Sequence, residues 1–190
     1  MGASAMNEVS LGAIDLEHSR AMYAWMLDAE VRANVGVRAV PTLERTREWI
    51  VRARKDEATE ARAILVDGVY VGNVILDQID RHASKARLSI YVGEASARGQ
   101  GIGQRAVRLI LGVAFRELNL AKVALTVHAR NGRAIATYIA CGFSVEGVHR
   151  GEFLLDGERI AELYMGILRS EFDRLSELRV IGENSGDGSD

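Results

Sequence analysis

Apolar residues recur along this chain with two periods, near 3.6 and near 2, and the places where one gives way to the other outline the elements. Residues 9–14 read as a first strand. Asp15 follows as a helix cap, with His18 rather than Glu at the capping-box position, ahead of a helical stretch through Met22, Met26 and Ala29. Thr42 caps a second helix with Arg45 at its third position, and Trp49, Ile50 and Ala53 continue the buried stripe. Residues 63–66 and 69–76 form a hairpin around Asp67-Gly68, a pair that accepts the positive φ both turn positions demand. A polar loop over 77–85 leads to a strand at 86–92.

The second half is more strongly patterned. Ile102, Ala106, Leu109, Ile110 and Val113 share one helical face, and Val107, Leu111 and Phe115 widen it, so this helix is expected to be covered over much of its circumference. Val123, Leu125 and Val127 alternate as a strand. A helix over 133–140 stops at Gly142, the residue type that takes up a left-handed C-terminal conformation. Residues 143–155 and 158–168 read as a closing hairpin around Asp156-Gly157. The order predicts an α/β fold whose central sheet is mixed, with antiparallel and parallel pairs.

Composition bounds this picture without redirecting it. A chain of 190 residues with 48% hydrophobic residues fits one domain with its own core. Residues 1–6 are expected to be a frayed N-terminus, 7–181 the domain, and 182–190, which lack an apolar residue, a disordered acidic tail. No apolar run reaches membrane-spanning length and no leader pattern opens the chain, so a cytoplasmic protein with no membrane partner is expected. The formal charge of −2, from 24 basic and 26 acidic residues, speaks against nucleic acid as a partner. Cys141 is the only cysteine, which excludes an intrachain disulfide; with four scattered His, no metal site is expected. Cys141 itself reads as a buried structural thiol.

Candidate chemistry concentrates at two places. Arg98, Gly99, Gln100, Gly101, Ile102 and Gly103 lie between a strand and a helix. Alternate glycines let several N–H groups converge, and the helix N-terminus behind them adds unpaired donors, which suits a pyrophosphate. Gln104 occupies the place of the third glycine of a dinucleotide fingerprint, and the Gly-Lys-Ser/Thr ending of a P-loop is absent. Further on, Asn131, Ala134, Tyr138, Gly142 and Phe143 form a second constellation. Asn131 offers a donor and an acceptor to a ligand, or caps the helix; Tyr138 shares a face with Ala134 and borders a ligand or packs inside.

Together the two stretches resemble the GNAT acyltransferase superfamily. Arg98-x-x-Gly101-x-Gly103 is similar to its cofactor motif, and Asn131, Ala134, Tyr138 and Gly142-Phe143 to a later one; the resemblance covers roughly residues 8 to 170. It implies a sheet splayed at the cofactor site and acetyl-CoA as co-substrate. The backbone of residues 98–103 would hold the pyrophosphate, the strand at Tyr91-Val92 would pair with the pantetheine arm, and Tyr138 would protonate the departing thiolate. The chemistry implied is acetyl transfer to a small-molecule amine. Such an amine, with a pKa of about 10.4 for the Lys type, is protonated near neutrality and must lose a proton before attacking. Many relatives carry a Glu on the strand before the glycine loop; Arg87 and Ser89 stand there in this chain. That leaves His128, Glu152 and His82 as candidate bases.

The acceptor is read from the N-terminal half. Trp25, Asp28, Glu30, Val31 and Arg32 resemble the opening helix of a branch holding ribosomal-protein, spermidine and amino-sugar N-acetyltransferases. Residues 71–74 and 79–90 look most like the amino-sugar group, in particular enzymes acetylating a 4-amino nucleotide sugar on the route to pseudaminic acid. Glu162 stands where that whole branch usually carries Asp. Arg81, His82 and Lys85 would then meet a nucleotide-sugar phosphate. The alternatives are a polyamine or protein N-terminus as acceptor, and a non-catalytic CoA-binding module; a homodimer is a candidate assembly.

Overall fold

The computed structural model describes residues 7–184 apart from Gly36, Arg38 and Asp156. Seven strands form one sheet in the order β1-β2-β3-β4-β5-β7-β6. They are β1 (Val9–Ala13), β2 (Glu60–Val66), β3 (Val69–Asp80), β4 (Lys85–Val92), β5 (Lys122–His128), β6 (Ser144–Leu155) and β7 (Glu158–Leu168). All neighbours run antiparallel except β4 and β5. Among the described residues six α-helices accompany them: α1 (Ser19–Trp25), α2 (Ala29–Asn34), α3 (Leu43–Ala53), α4 (Ile102–Gly112), α5 (Gly132–Ala140) and α6 (Arg169–Asn184). The mixed α/β sheet expected from the sequence is the sheet observed, and it is largely antiparallel.

Local signals act as read. Asp67 and Gly68 take φ of 50° and 79° in the β2–β3 turn. Thr42 Oγ1 accepts from Arg45 N at 3.2 Å and caps α3. At Asp15 the capping box is complete even with His18 in place of Glu, because Nδ1 accepts the Asp15 amide at 3.0 Å. Gly142 closes α5 with φ +99°, where an added Cβ would strike Leu175 of α6.

Four expectations need correction. The first helical stretch is broken: α1 stops at Trp25, α2 restarts at Ala29, and Ala29 itself is exposed. The loop over 77–85 is shorter than read, because β3 runs on to Asp80 across an irregularity at Gln78, whose φ is +51°. Leu109 is exposed at 41% beside Phe172, although it shares the helical period of the core face. Finally α6 continues to Asn184, so residues 182–184 belong to a helix rather than a tail; residues 1–6 and 185–190 lie outside the described residues. Phe172 anchors α6 against Phe115 at 5.2 Å between ring centroids.

Two apolar clusters hold the sheet. The larger joins α4 to the sheet through Ile102, Ala106, Ile110, Leu111, Leu125, Met165 and Ile167, all nearly or fully buried. Each of the Ile, Leu and Met side chains contributes about 1.5–3 kcal/mol by leaving water. Cys141 packs there too, its Sγ 3.5 Å from Gln104 O. The smaller cluster packs Met22, Met26, Val31 and Ile50 on the Tyr91 ring. At its edge the fully buried Asn73 donates to the Tyr91 hydroxyl at 2.5 Å and accepts from Tyr70 at 3.0 Å. Burial pushes both phenols well above their ordinary pKa. Asn73→Ala removes the amide that both hydroxyls bond and leaves them only each other, and urea unfolding is expected to show a loss of about 1–3 kcal/mol. A change below about 0.5 kcal/mol would mean that water replaces the amide without cost.

Candidate active site

Strands β4 and β5 are joined at three places, Lys85↔Lys122, Ala86↔Val123 and Arg87↔Ala124, after which they part. β4 continues to Val92 with its inner edge open, while its other edge stays paired to β3. The split opens into a cleft of about 840 Å³. Parallel strands that separate in this way present unpaired N–H and C=O groups to an extended, amide-bearing ligand.

The glycine loop closes one side. Arg98 does not reach outward: its Nε and Nη2 donate to Val92 O and Gly93 O at 3.0 and 2.9 Å, and Asp28 stands 3.8 Å away. Arg98 thereby fastens the end of β4 to the loop. Gly99 and Gly101 have φ of +85° and +72°, and Gly101 caps α4. An added Cβ at Gly101 or Gly103 meets nothing within 4 Å, so the space over the helix N-terminus is open. The first N–H groups of α4, at residues 102–104, have no carbonyl of their own helix to donate to. Unpaired amides at a helix start, facing a cleft, fit a pyrophosphate. Gln100 stands apart from the lining residues, its side-chain amide given to Ser96 O at 2.7 Å.

The other sequence-derived residues mostly converge. Tyr91, Val92, Arg98, Gly99, Gly101, Ile102, Gly103, Asn131, Ala134 and Tyr138 all line the cleft, as do His128 and Glu152. For Tyr91 the contribution is its backbone, since the ring belongs to the smaller core. Asn131 caps α5 as well as bordering the cleft, its Oδ1 accepting Ala134 N at 3.0 Å. Tyr138 is 8% exposed and packs edge-on against Phe143 at 5.8 Å. Burial, with a smaller effect of Cys141, pushes its pKa up to about 12. Such a phenol keeps its proton at neutral pH.

Arg81, His82 and Lys85 are not brought to the cleft. They occupy the β3–β4 turn and the first position of β4, at the end where β4 and β5 are still paired. The reason is the extra length of β3, which carries this turn away from the opening. In their place the cleft lining carries Asp77, Glu152 and Glu162, with Phe153, His128 and Arg133. Arg87 is held by Asp77 through two 2.8 Å hydrogen bonds. Glu152 reaches the wall because β6 loses register between His149 and Phe153, with Gly151 at φ +65°. Glu162 was marked in the sequence only as a departure; its alternation along β7 is the signal that places it on this face.

Comparison with known proteins agrees with this geometry. Residues 9–144 match the acetyltransferase (GNAT) domain family, and the chain belongs to that family. It is 30% identical over 128 residues to spermidine N(1)-acetyltransferase of Escherichia coli K12, covering 67% of each chain. Over 110 residues it is 28% identical to a putative ribosomal N-acetyltransferase of Bacillus subtilis, covering 58% of this chain and 60% of the other. Its fold matches that of a spermidine N-acetyltransferase from Vibrio cholerae, solved with CoA and spermine, at TM-score 0.80 and 22% identity, covering 86% and 97% of the two chains. The chain is an acetyl-CoA-dependent N-acetyltransferase, with acetyl-CoA as co-substrate. Among the described residues no helix is long and apolar enough to cross a membrane.

Proposed function

We propose that this enzyme acetylates a primary amine of a small, multiply charged cation of the polyamine type. The carrying observation is the charge of the acceptor wall. Asp77, Glu152 and Glu162 line it; Asp77 is paired with Arg87 and Glu162 faces His128, so Glu152 is the carboxylate left to attract a cation. A nucleotide-sugar diphosphate would face these carboxylates, and the cations proposed to receive it, Arg81, His82 and Lys85, stand away from the cleft. The similarity to spermidine acetyltransferases points the same way, while the amino-sugar and protein N-terminus readings lack a matching feature in the wall.

Acetyl-CoA supplies the activated acyl group as a thioester. The amides of residues 99–104 would hold its pyrophosphate, and the open edge of β4 at Tyr91 and Val92 would order the pantetheine arm. Tyr138 would stand by the sulfur as the acid. His128 and Glu152, both on the cleft wall, are the groups from which the base is drawn.

A panel of spermidine, a nucleotide-linked 4-amino sugar and a peptide with a free N-terminus tests the acceptor. Spermidine is expected to have the highest kcat/KM, by about tenfold or more, or about 1.4 kcal/mol of transition-state preference. A higher kcat/KM for the amino sugar would overturn the polyamine reading and restore the sugar.

A further inference from the structure

We propose that His128 takes the proton from the acceptor amine and that Glu162 is its positioning residue. His128 ends β5 and stands directly opposite Glu162 on β7. Directly opposed residues of an antiparallel pair share a sheet face, so the two side chains meet by construction of the sheet. His128 Nε2 lies 3.7 Å from Glu162 Oε1, and the side chains are only 12% and 18% exposed. The Phe153 ring covers the imidazole at 4.0 Å between centroids. All three residues line the same cleft as Tyr138. A shielded imidazole, fixed by a ring on one side and a carboxylate at one nitrogen, is an oriented base rather than a solvated surface histidine.

A carboxylate on the Nε2 side favours the proton on that nitrogen, which would leave Nδ1 to accept one. Other charged groups around the pair are accounted for. Glu152 of β6 and Arg133 of α5 share the cleft. His149 of β6 stands opposite Glu162 from its far side and is exposed. Arg130, just past β5, pairs with Glu158, and Arg87 with Asp77. Glu162 is the one of these recorded in ion-pair range of His128 among the described residues.

The proton balance closes. His128 takes one proton from the ammonium, and the freed lone pair attacks the thioester carbonyl. The C–N bond forms as the C–S bond breaks, and Tyr138 gives its phenolic proton to the leaving sulfur. The second proton shed by the nitrogen restores the phenol, and the imidazolium passes its own to water. One proton is released per turnover.

This inference rests on the acetyl-transfer reading of the cleft, and two readouts test it together. In the first, the ring-nitrogen NMR shifts of His128 above neutral pH, assigned by their loss in His128→Gln, report which nitrogen carries the proton in wild type and in Glu162→Leu. Wild type is expected to show the Nε2–H tautomer and Glu162→Leu a mixture of the two. In the second, Glu162→Leu is expected to lose about tenfold in kcat with the amine KM and the CoA affinity within about threefold. Glu162→Asp should return both towards wild type. His128→Gln is expected to lose about 10²-fold in kcat and the acid limb of kcat/KM, where activity falls as the base becomes protonated, with unchanged CoA affinity. An unmoved tautomer balance would overturn the Glu162 role, and a limb that persists in His128→Gln would overturn the base and point to Glu152. Rejection of spermidine with turnover of another amine would count against the acceptor reading alone, the limb then being measured on that amine; no turnover of any amine would overturn both.

Discussion

Replacing Tyr138 by Phe is expected to cut turnover by about 10²–10⁴-fold while leaving CoA affinity within about threefold. The change removes one oxygen and keeps the ring that packs on Phe143, so the fold and the cleft wall stay in place. What is lost is a proton donor. Burial pushes the Tyr138 phenol up to about 12, so it keeps its proton through neutral pH and carries one when the thiolate departs. The same shift has a pH consequence: no alkaline loss of activity from Tyr138 is expected until pH nears that value. Stopped-flow turnover and calorimetry of CoA binding measure the two quantities separately. Turnover unchanged in Tyr138→Phe would remove the phenol from the mechanism and leave solvent as the acid.

The second large effect belongs to Gly101. Its φ of +72° is left-handed, and a β-branched residue there is strained by about 1–3 kcal/mol. The protein itself leaves room for a side chain, since an added Cβ meets nothing within 4 Å. Gly101→Val would therefore act in two ways, straining the cap of α4 and filling the space over the amides of residues 99–104. CoA affinity is expected to fall about 10–100-fold, with a smaller loss of thermal stability. Gly101→Ala, with the same φ penalty in kind but less bulk, should lie between. Equal CoA affinity in all three would show that the loop does not hold the pyrophosphate.

Much of this site was legible because short motifs carry their own geometry. Asp67-Gly68 fixes a turn, Gly99 and Gly101 fix a loop that needs positive φ, and Asn131 caps the helix that presents Tyr138. Each of these works within a few residues, so the sequence pattern suffices. The misreadings arose where partners are distant. Leu109 has the period of a buried position, yet what covers each face of α4 is decided by β1, α5 and the sheet. The break between α1 and α2 leaves no proline or glycine to mark it, and follows instead from how Met22, Met26 and Val31 pack around Tyr91. α6 carries so few apolar residues that its helix is decided by contacts such as Phe172 on Phe115.

The acceptor wall was the least legible part. Arg81, His82 and Lys85 form a basic cluster in sequence, and a longer β3 carries them to the paired end of β4. His128 and Glu162 are far apart in the chain and meet through strand register alone, which no local pattern encodes. The same register explains why the two candidate bases lie on one wall: β5 delivers His128, and the irregularity in β6 delivers Glu152.

The central claim is that the cofactor lies between the parted ends of β4 and β5 with its pyrophosphate on the glycine loop. Amide hydrogen exchange with and without CoA measures this directly. The account predicts slowed exchange at residues 99–104 and along β4 from 88 to 92, with no change in the β3–β4 turn at 81–84. Protection confined to that turn, or absent from the glycine loop while CoA binds, would contradict it.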